Sequence, residues 1–454
     1  MQRQYRTCSR LIFGALLLFL TVYLGYWVER AQTLPLLSAY CVFFAVYVWV
    51  LHRSSRDDRK FYAGLGIALR VVLLFSIPNL SDDFYRFLWD GRLAAQGIHP
   101  FAHPPAFFME NATTLRGITP VLFQKLNSPE YHTVYPPVCQ AVFWLAVKLS
   151  PESIAGGVFI LKFFLFACEL GTLAVLAKFG EEKALPLVRV GYTPGQLPDN
   201  QPVVAYALNP LILLEITGNC HFEGAMLCFL LAGILALARR RIAWAALFWA
   251  LATASKLLPL LFLPIVWTHL GWRAGFRFMA LFAVFCVALF LPLLDPDVLT
   301  NMVGSLNLYF RQFAFNAGGY YVLRAIGKVF APPTVDVGRT LGPILAAFVL
   351  IGVLVLAFWK RKNTIQVFHQ KLLLASTLYL ALATTVHPWY IAVPLGLGLL
   401  TSWRFPLVWT GAAFLSYSHY AAGGFQENYG LIALEYGLVL WAVWRELDTD
   451  FQRS

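Results

Sequence analysis

The chain has 454 residues, of which 59% are hydrophobic and 13% are charged, and its formal net charge is +12. Soluble domains carry about 25% charged residues, so this composition excludes an ordinary soluble globular protein. Apolar runs of about 17 to 25 residues recur along the whole chain, which is the length that crosses a bilayer as a helix. The cationic residues lie in short clusters between these runs, which indicates helix orientation and not nucleic-acid binding.

The first apolar run, Leu11 to Val28, follows three arginines in the first ten residues. A basic start before an apolar run is typical of a secretory signal peptide. Trp27, Glu29 and Arg30 make a poor cleavage site, because cleavage requires small residues. We therefore expect this run to remain as a membrane anchor.

The other apolar runs predict an all-α polytopic membrane protein with about fourteen membrane helices. We expect one transmembrane domain over residues 1–454, a large outer loop with interfacial helices at 79–137 and a second outer loop at 295–340. The predicted spans are Leu11 to Val28, Leu34 to Leu51, Phe61 to Pro78, Ile154 to Lys178, Val203 to Ile216, Phe222 to Ala238, Ile242 to Ser255, Leu257 to Thr268, Gly275 to Leu294, Leu341 to Trp359, Gln370 to Val386, Trp389 to Ser402, Pro406 to Ala421 and Tyr429 to Trp444.

The cationic clusters orient these spans. With the boundaries above, every cluster falls on one side, and the positive-inside rule makes that side the cytoplasm. Both termini are then cytoplasmic. The clusters are Arg3/Arg6/Arg10, Arg53/Arg56/Arg59/Lys60, Lys178/Lys183/Arg189, Arg239/Arg240/Arg241, Arg273/Arg277, Lys360/Arg361/Lys362, Arg404 and Arg445.

This orientation depends on two segments. Val138 to Leu149 is too short to cross a hydrocarbon core of about 30 Å, so we expect a re-entrant or interfacial helix at 138–150. Ile242 to Thr268 is expected to be two short helices, because Lys256 and Pro259 interrupt it. The opposite choice at either segment would place arginines outside, against the positive-inside rule.

Ionisable residues concentrate in the large loop after the third span. Asp82 and Asp83 open this loop and would lie at the membrane surface. They either cap a helix that begins near Phe84 or contribute a carboxylate to a site. A site is favoured because other candidate substrate-binding residues follow in the same loop: Arg86, Asp90, Arg92, His99 and Tyr135.

The predicted topology brings four more ionisable residues to the same outer face. His221 and Glu223 lie between two spans, Lys256 lies at the predicted break, and His387 begins the sequence H-P-W-Y. Ionisable groups at membrane depth are costly and usually mark a site. Any one of them is equally well explained by a polar contact between helices, but their convergence from distant segments favours substrate binding.

Two other groups of residues are assigned to structure. Seven cysteines are scattered with no C-x-x-C pair and no histidine at metal-ligand spacing, so we expect them to pack in the interior. Lys162 and Glu169 lie about two turns apart inside the fourth span, and we expect them to neutralise each other. Neither group predicts a metal site.

Four motifs lie between Asn79 and Pro264. They are S-D-D-F-Y-R-F-L-W-D-G-R from Ser81, Y-P-P from Tyr135, Asn209-Pro210 followed by G-N-C-H-F-E from Gly218, and Lys256 before L-L-P. Together these motifs resemble the membrane glycosyltransferases of the GT-C superfamily, most of all the polyprenyl-phosphate-mannose-dependent alpha-mannosyltransferases. The resemblance covers roughly Asn79 to Pro264, and the last third of the chain matches only in hydropathy and in H-P-W-Y.

The resemblance implies a polyprenyl-phosphate sugar donor and a catalytic carboxylate in the first outer loop. Asp82 aligns with the first acid of the family and Asp83 with the second, and we expect Asp82 to be the general base, with Asp83 the alternative. Residue chemistry agrees, because the reaction needs a carboxylate for the hydroxyl proton and a cation, here Lys256, near the leaving phosphate. No cofactor is expected, although a divalent metal held by the two aspartates is an alternative.

The expected function is transfer of a sugar, with mannose the first choice, to a lipid-linked or glycan acceptor with inversion. The expected location is a bacterial inner membrane, with membrane lipids as partners and the site facing the periplasm. A transporter or flippase would instead show inverted repeats and acids at mid-membrane depth. A lipid-linked glycan polymerase or ligase would rely on arginine and histidine without a loop-opening acidic pair.

Overall fold

A computed structural model describes residues 2–451 except 112–114, 182–201, 295–297, 299, 302–303, 306–312, 333, 360–363 and 422–423. Among the cationic residues that set the predicted orientation, Lys183, Arg189 and Lys360 to Lys362 lie outside these ranges. Within the ranges the chain is helical, and its only β pairing is an isolated parallel bridge between Phe315 and Thr385. The all-α class predicted from the apolar runs is confirmed.

The described α-helices are numbered here in chain order. They are α1 (Gln2–Tyr26), α2 (Thr33–Arg53), α3 (Arg59–Leu73), α4 (Asp83–Ala95), α5 (Pro105–Glu110), α6 (Pro120–Phe123), α7 (Pro137–Leu149), α8 (Ile154–Glu181), α9 (Pro202–Ala207), α10 (Glu223–Ala238), α11 (Ile242–Ser255), α12 (Leu263–Leu270), α13 (Trp272–Phe290), α14 (Gly318–Phe330), α15 (Val337–Phe358), α16 (Ile365–Leu382), α17 (Ala392–Gly398), α18 (Phe405–Ala412) and α19 (Tyr429–Phe451). A π-helix, Ile212–Gly218, lies between α9 and α10.

Five helices in the described part of the chain are long and apolar enough to cross a membrane. The π-helix and α10 meet the same test together, but they bend by 106° at the break between them. The protein is therefore an integral membrane protein, although the predicted count of about fourteen spans is not confirmed. The five segments are Thr7–Tyr26, Thr33–Arg53, Ile154–Glu181, Trp272–Leu293 and Val337–Phe358.

Some of the predicted spans differ clearly from the structure. The predicted span Val203 to Ile216 is divided into α9, which ends at Ala207, and the π-helix Ile212–Gly218. The predicted span Phe61 to Pro78 ends as a helix at Leu73, and Pro78 disfavours helical backbone in the residue before it. The predicted span Trp389 to Ser402 is divided into a 3₁₀-helix, Pro388–Ile391, and the short helix α17. Each helix is shorter than a full membrane crossing.

The predicted break in the segment Ile242 to Thr268 is confirmed. Helix α11 ends at Ser255, and Lys256 has extended backbone with φ −156° and ψ 144°. A 3₁₀-helix, Leu258–Phe262, then leads into α12. Lys256 consequently lies between α11 and the 3₁₀-helix, and its side chain is not part of the packed face of either helix.

The predicted pairing of Lys162 with Glu169 is wrong. Glu169 Oε2 accepts a hydrogen bond from Arg70 Nε at 2.6 Å, whereas Lys162 Nζ donates to the carbonyl oxygens of Leu73 at 2.9 Å and Ser76 at 2.7 Å. Both Lys162 and Glu169 are fully buried. Two charged residues on one helix do not pair when groups on a packed neighbour lie closer to each of them. Here those groups belong to α3 and to the turn that follows it.

Helix α4 is held against α7, and this contact positions the start of the large loop. The rings of Phe87 and Phe143 stack with centroids 4.5 Å apart. Gly91 lies so close to α7 that a Cβ atom there would be 2.3 Å from the carbonyl oxygen of Phe143. A larger residue at position 91 would push α4 away from α7, so glycine is needed for this close packing. The packing in turn fixes the position of Asp83, the first residue of α4.

Candidate active site

The two aspartates at the start of the large loop have different partners. Asp82 immediately precedes α4, and its Oδ2 accepts a hydrogen bond from Arg30 Nη2 at 2.5 Å. Asp83 Oδ1 accepts a hydrogen bond from Asn127 Nδ2 at 2.7 Å, and Asp83 Oδ2 lies 4.0 Å from His221 Nδ1. The carboxylates therefore belong to separate contacts although they are adjacent in sequence.

The explanation of this acidic pair as a helix cap is not supported. The Asp82 side chain makes no hydrogen bond to the first turn of α4. The backbone N–H of Asp83 instead donates to Ser81 Oγ at 3.3 Å. Neither aspartate side chain is therefore used in capping, and both carboxylates can face other groups.

Asp83 binds a proton more tightly in the protein than an aspartate does in water, because its pKa is raised. Burial raises the pKa of Asp83, and the charges of Glu223 and Asp82 raise it further. The hydrogen bond from Asn127 and the charge of Lys256 act in the opposite direction. A carboxylate with a raised pKa is a better proton acceptor near neutral pH than an ordinary aspartate.

Lys256 and Glu223 form an ion pair beside Asp83. Lys256 Nζ lies 3.0 Å from Oε1 of Glu223, the first residue of α10. The ammonium group also lies 5.5 Å from the ring centroid of Tyr135, within the range of a cation–π contact. The Lys256 side chain is 27% exposed, whereas that of Glu223 is 3% exposed. The cation therefore keeps an open side on which an anion can approach.

His221 lies between Asp83 and the H-P-W-Y element. It follows Cys220, whose φ of +66° turns the chain sharply between the π-helix and α10. The His221 ring stacks on Trp389 at 3.6 Å, and Trp389 stacks in turn on His387 at 4.3 Å. On its other edge, His221 Nε2 lies 3.4 Å from Glu215 Oε2.

The structure therefore brings together residues that are distant in sequence, as expected. We name as the Asp83 cluster the residues Asp83, Tyr135, His221, Glu223 and Lys256. His387 is joined to this cluster by Trp389, on which both His221 and His387 stack. The cluster combines a carboxylate that can accept a proton with a cation that can bind an anion.

Two other predicted residues of the loop hold the loop itself together. The i, i+4 pair forms, with Arg86 Nε 2.9 Å from Asp90 Oδ1. Arg86 Nη1 also donates to the carbonyl oxygen of Tyr131 at 3.0 Å, and Asp90 Oδ2 accepts from Gln140 Nε2 at 3.1 Å. These contacts tie α4 to the end of the loop and to α7.

The remaining two predicted loop residues also make local contacts. Arg92 Nη1 donates to the carbonyl oxygen of Gly117 at 2.6 Å. His99 Nδ1 accepts the backbone N–H of Phe101 at 3.3 Å. Neither contact involves the Asp83 cluster, and substrate binding by these residues stays a prediction.

Sequence reasoning missed three residues of this site. Arg30 lies in the short connection between α1 and α2, and an arginine on the predicted outer side, against the positive-inside pattern, was an available signal. Glu215 is a fully buried acid inside the predicted span Val203 to Ile216, which was also a signal. Asn127 had no signal, because only the fold of the loop places it against Asp83.

Metal-ligand geometry is not found in the described part of the chain. No group of three or more histidine, cysteine, aspartate or glutamate side chains there could hold a metal ion. All seven cysteines are free thiols. Four of them are buried, as expected for packing residues, whereas Cys8 and Cys41 are exposed, against that expectation. The charged groups that the site itself offers are the carboxylates, Lys256 and Arg30.

The fold and the site define a helical integral membrane protein in which a carboxylate, Asp83, and a partly exposed cation, Lys256, lie in one cluster. A family model described as alpha-(1->6)-mannopyranosyltransferase, N-terminal domain, matches residues 19–271, which is more than half of the chain. The chain belongs to this family. The match contains the whole Asp83 cluster, whereas His387 and Trp389 lie beyond it.

Two curated relatives are similar to this chain. Alpha-(1->6)-mannopyranosyltransferase A of Mycobacterium tuberculosis is 25% identical over 347 residues, which cover 71% of this chain and 62% of that relative. Alpha-(1->6)-mannopyranosyltransferase B of Corynebacterium glutamicum is 26% identical over 162 residues, which cover 36% of this chain and 24% of that relative. The chain thus spans less than two thirds of the length of each relative.

Proposed function

We propose that this protein is a glycosyltransferase that moves a mannosyl group from a polyprenyl-phosphate donor to a lipid-linked or glycan acceptor. The observation that carries the proposal is the placement of the Asp83 carboxylate and the Lys256 ammonium group in one cluster. Membership of a family described by alpha-(1->6)-mannosyl transfer supports mannose as the sugar. The names of both relatives describe the same chemistry.

In the proposed reaction the acceptor hydroxyl attacks the anomeric carbon of the donor. A carboxylate takes the hydroxyl proton while the new C–O bond forms, and the bond to the phosphate breaks with its electron pair leaving on the phosphate. A single displacement of this kind inverts the anomeric centre. A beta-linked donor would therefore yield an alpha-linked product.

The contacts of the two aspartates favour Asp83 over Asp82 as the base. The resemblance of the motif to the family points to Asp82, the first acid of the pair. Asp82 Oδ2 already accepts a hydrogen bond from Arg30 Nη2, however, which directs this carboxylate towards the connection between α1 and α2. Asp83 has the raised pKa that general-base catalysis requires, and it faces the other groups of the cluster.

Lys256 is proposed to bind the donor phosphate. Its partial exposure lets an anion approach while Glu223 holds the ammonium group from the buried side. As the sugar–phosphate bond breaks, negative charge grows on the phosphate, and a fixed cation stabilises that charge. Arg30, which is also partly exposed, offers a second cation near Asp82.

The proposed location is a bacterial inner membrane with the site on the periplasmic face. The cationic clusters support this orientation, because the positive-inside rule places them on the opposite side. A donor carried on a lipid fits a site that begins at the membrane surface. No metal is assigned a role in the proposal, since Asp82 and Asp83 are directed to different partners.

The proposal is tested by transfer from defined donors. Purified protein in lipid nanodiscs is supplied with polyprenyl-phosphate mannose, polyprenyl-phosphate glucose and a mannoside acceptor, and products are read by mass spectrometry with and without a chelator. We expect a mannose-dependent product that persists with the chelator. Movement of donor between leaflets without any transferred sugar would favour a flippase and reject the proposal.

A further inference from the structure

Glu215 is a fully buried carboxylate that the proposed reaction leaves unused. It lies on the π-helix Ile212–Gly218, a rare backbone form that often occurs at functional sites. Its Oε1 accepts a hydrogen bond from the hydroxyl of Tyr417 at 2.6 Å. Its Oε2 makes no hydrogen bond and lies 3.4 Å from His221 Nε2. The free oxygen of a buried acid is thus directed at one edge of the imidazole.

The other edge of the same imidazole faces Asp83. His221 Nδ1 lies 4.0 Å from Asp83 Oδ2, which is too long for a hydrogen bond. Stacking on Trp389 at 3.6 Å, with ring planes 12° apart, fixes the plane of the ring. His221 therefore stands between two carboxylates, with one ring nitrogen towards each of them.

We propose that Glu215 holds His221 with its proton on Nε2, so that the unprotonated Nδ1 accepts a hydrogen bond from Asp83 after Asp83 has taken the acceptor proton. A neutral imidazole has one donor and one acceptor nitrogen, and the group beside one nitrogen selects the role of the other. Ionised Asp83 and bare Nδ1 are both acceptors, which agrees with their separation. Protonated Asp83 has an O–H group that can donate to His221 Nδ1, and the distance between the two groups then shortens to that of a hydrogen bond.

This inference rests on the proposed function and adds a positioning role to it. The acceptor hydroxyl gives its proton to Asp83, the hydroxyl oxygen bonds to the anomeric carbon, and the phosphate leaves with the electron pair. Protonated Asp83 then donates to Nδ1 and later releases the proton to water. Because the hydrogen bond exists only after proton transfer has begun, it stabilises the transition state more than the bound substrate and raises kcat.

Variants of both residues test the proposal by separating kcat from donor binding. Glu215→Gln replaces the carboxyl group beside Nε2 with an amide that can donate as well as accept, so the tautomer is no longer selected, and we expect kcat to fall about 10-fold to 100-fold with unchanged donor affinity. His221→Asn places an amide oxygen near the position of Nδ1, whereas His221→Gln places its amide near the position of Nε2. We expect His221→Asn to retain more turnover than His221→Gln.

A double variant shows whether Glu215 acts through His221. Adding Glu215→Gln to His221→Asn is expected to cause little further loss, because the residue through which Glu215 acts is gone. Glu435→Gln is the matched control, since Glu435 is also fully buried and accepts from Trp409 Nε1 and Asn316 Nδ2. Its effect is expected to add to that of His221→Asn.

Fully additive losses for Glu215→Gln and His221→Asn would overturn the inference, as would equal or better turnover in His221→Gln. The comparison of the two His221 variants stands even when Glu215→Gln does not fold. A wild-type protein that transfers no sugar would reject the proposed function. A wild-type protein that does transfer, with an inactive Asp83→Asn and a normal Glu215→Gln, would reject only this inference.

Discussion

Arg30 and Asp82 form an ion pair, with Arg30 Nη2 2.5 Å from Asp82 Oδ2, between the α1–α2 connection and the residue that precedes α4. Their side chains are 30% and 40% exposed. Partly exposed pairs contribute only about 0 to 1 kcal/mol to stability, so the pair matters more for the site than for folding. Arg30 binds the carboxylate of Asp82, so Asp83 is the aspartate whose carboxylate faces the cluster.

Replacing each aspartate by asparagine separates their roles. We expect Asp83→Asn to lower turnover by about 100-fold to 10,000-fold, because asparagine cannot accept the proton. Asp82→Asn is expected to lower turnover by only about 10-fold, through release of Arg30. Steady-state rates and donor binding are measured for both, with Glu110→Gln, an exposed acid of the same loop, as the control. The reverse order of effects would assign the base to Asp82, as the family alignment expects.

Removing the charge of Lys256 is expected to weaken donor binding. Lys256→Met keeps most of the apolar stem, and the loss of a charged hydrogen-bond donor should weaken donor affinity by about 10-fold or more. The variant Lys256→Met/Glu223→Gln controls for the acid that would otherwise remain buried without its partner. Lys148→Met, at the end of α7, is the control for loss of a lysine elsewhere. Unchanged donor affinity would move the phosphate site to Arg30, Arg86 or Arg92.

The acid limb of the pH–rate profile should follow the surroundings of Asp83. Because burial raises the pKa of Asp83, activity is expected to fall at a higher pH than for an ordinary aspartate as the pH decreases. Asn127→Ala removes a hydrogen bond that lowers this pKa, so the limb should move to higher pH. Asp82→Asn removes a charge that raises it, so the limb should move to lower pH. Shifts of kcat/KM in the same direction for both variants would contradict Asp83 as the base.

The buried pair between Arg70 and Glu169 is expected to be needed for stability. Glu169→Leu leaves a buried guanidinium without its carboxylate and should reduce the free energy of unfolding by about 3 to 5 kcal/mol. The double variant Arg70→Met/Glu169→Leu should recover much of this loss, because no charge stays unpaired. Denaturant unfolding in detergent measures both. A double variant less stable than Glu169→Leu would show that the ion pair itself is irreplaceable.

Single-cysteine labelling tests the orientation of the chain. In a variant without the native cysteines, Glu110→Cys in the large loop should react with an impermeant maleimide from the periplasmic side. Ala238→Cys, which is exposed at the end of α10 beside Arg239, should react only after the cytoplasmic side is opened. Labelling of Glu110→Cys only from the cytoplasmic side would invert the topology and move the site to the other face.

Local rules explain which parts of the fold were predicted from sequence. The break at Lys256 was correct, because proline interrupts a helix through its own segment. A helix also forms at α7, and its re-entrant or interfacial position stays a prediction. The predicted end of the span Phe61 to Pro78 was wrong, because the helix ends at Leu73. Lys162, on another helix, takes the carbonyl oxygens of Leu73 and Ser76, and hydropathy along one segment contains no information about such a partner.

The class of protein could be predicted from the sequence alone, since the lengths of the apolar runs and the distribution of cations reflect the bilayer and do not depend on packing. All five members of the Asp83 cluster were also candidate site residues in the sequence, because ionisable residues stand out in an apolar chain. Their contacts with one another, by contrast, depend on the tertiary structure. Arg30 with Asp82, and Glu215 with His221, are contacts between segments whose approach depends on helix packing. Side-chain distances of this kind depend on the packing of the whole fold. The different partners of Asp82 and Asp83 could therefore not be predicted from the residues beside them in the sequence.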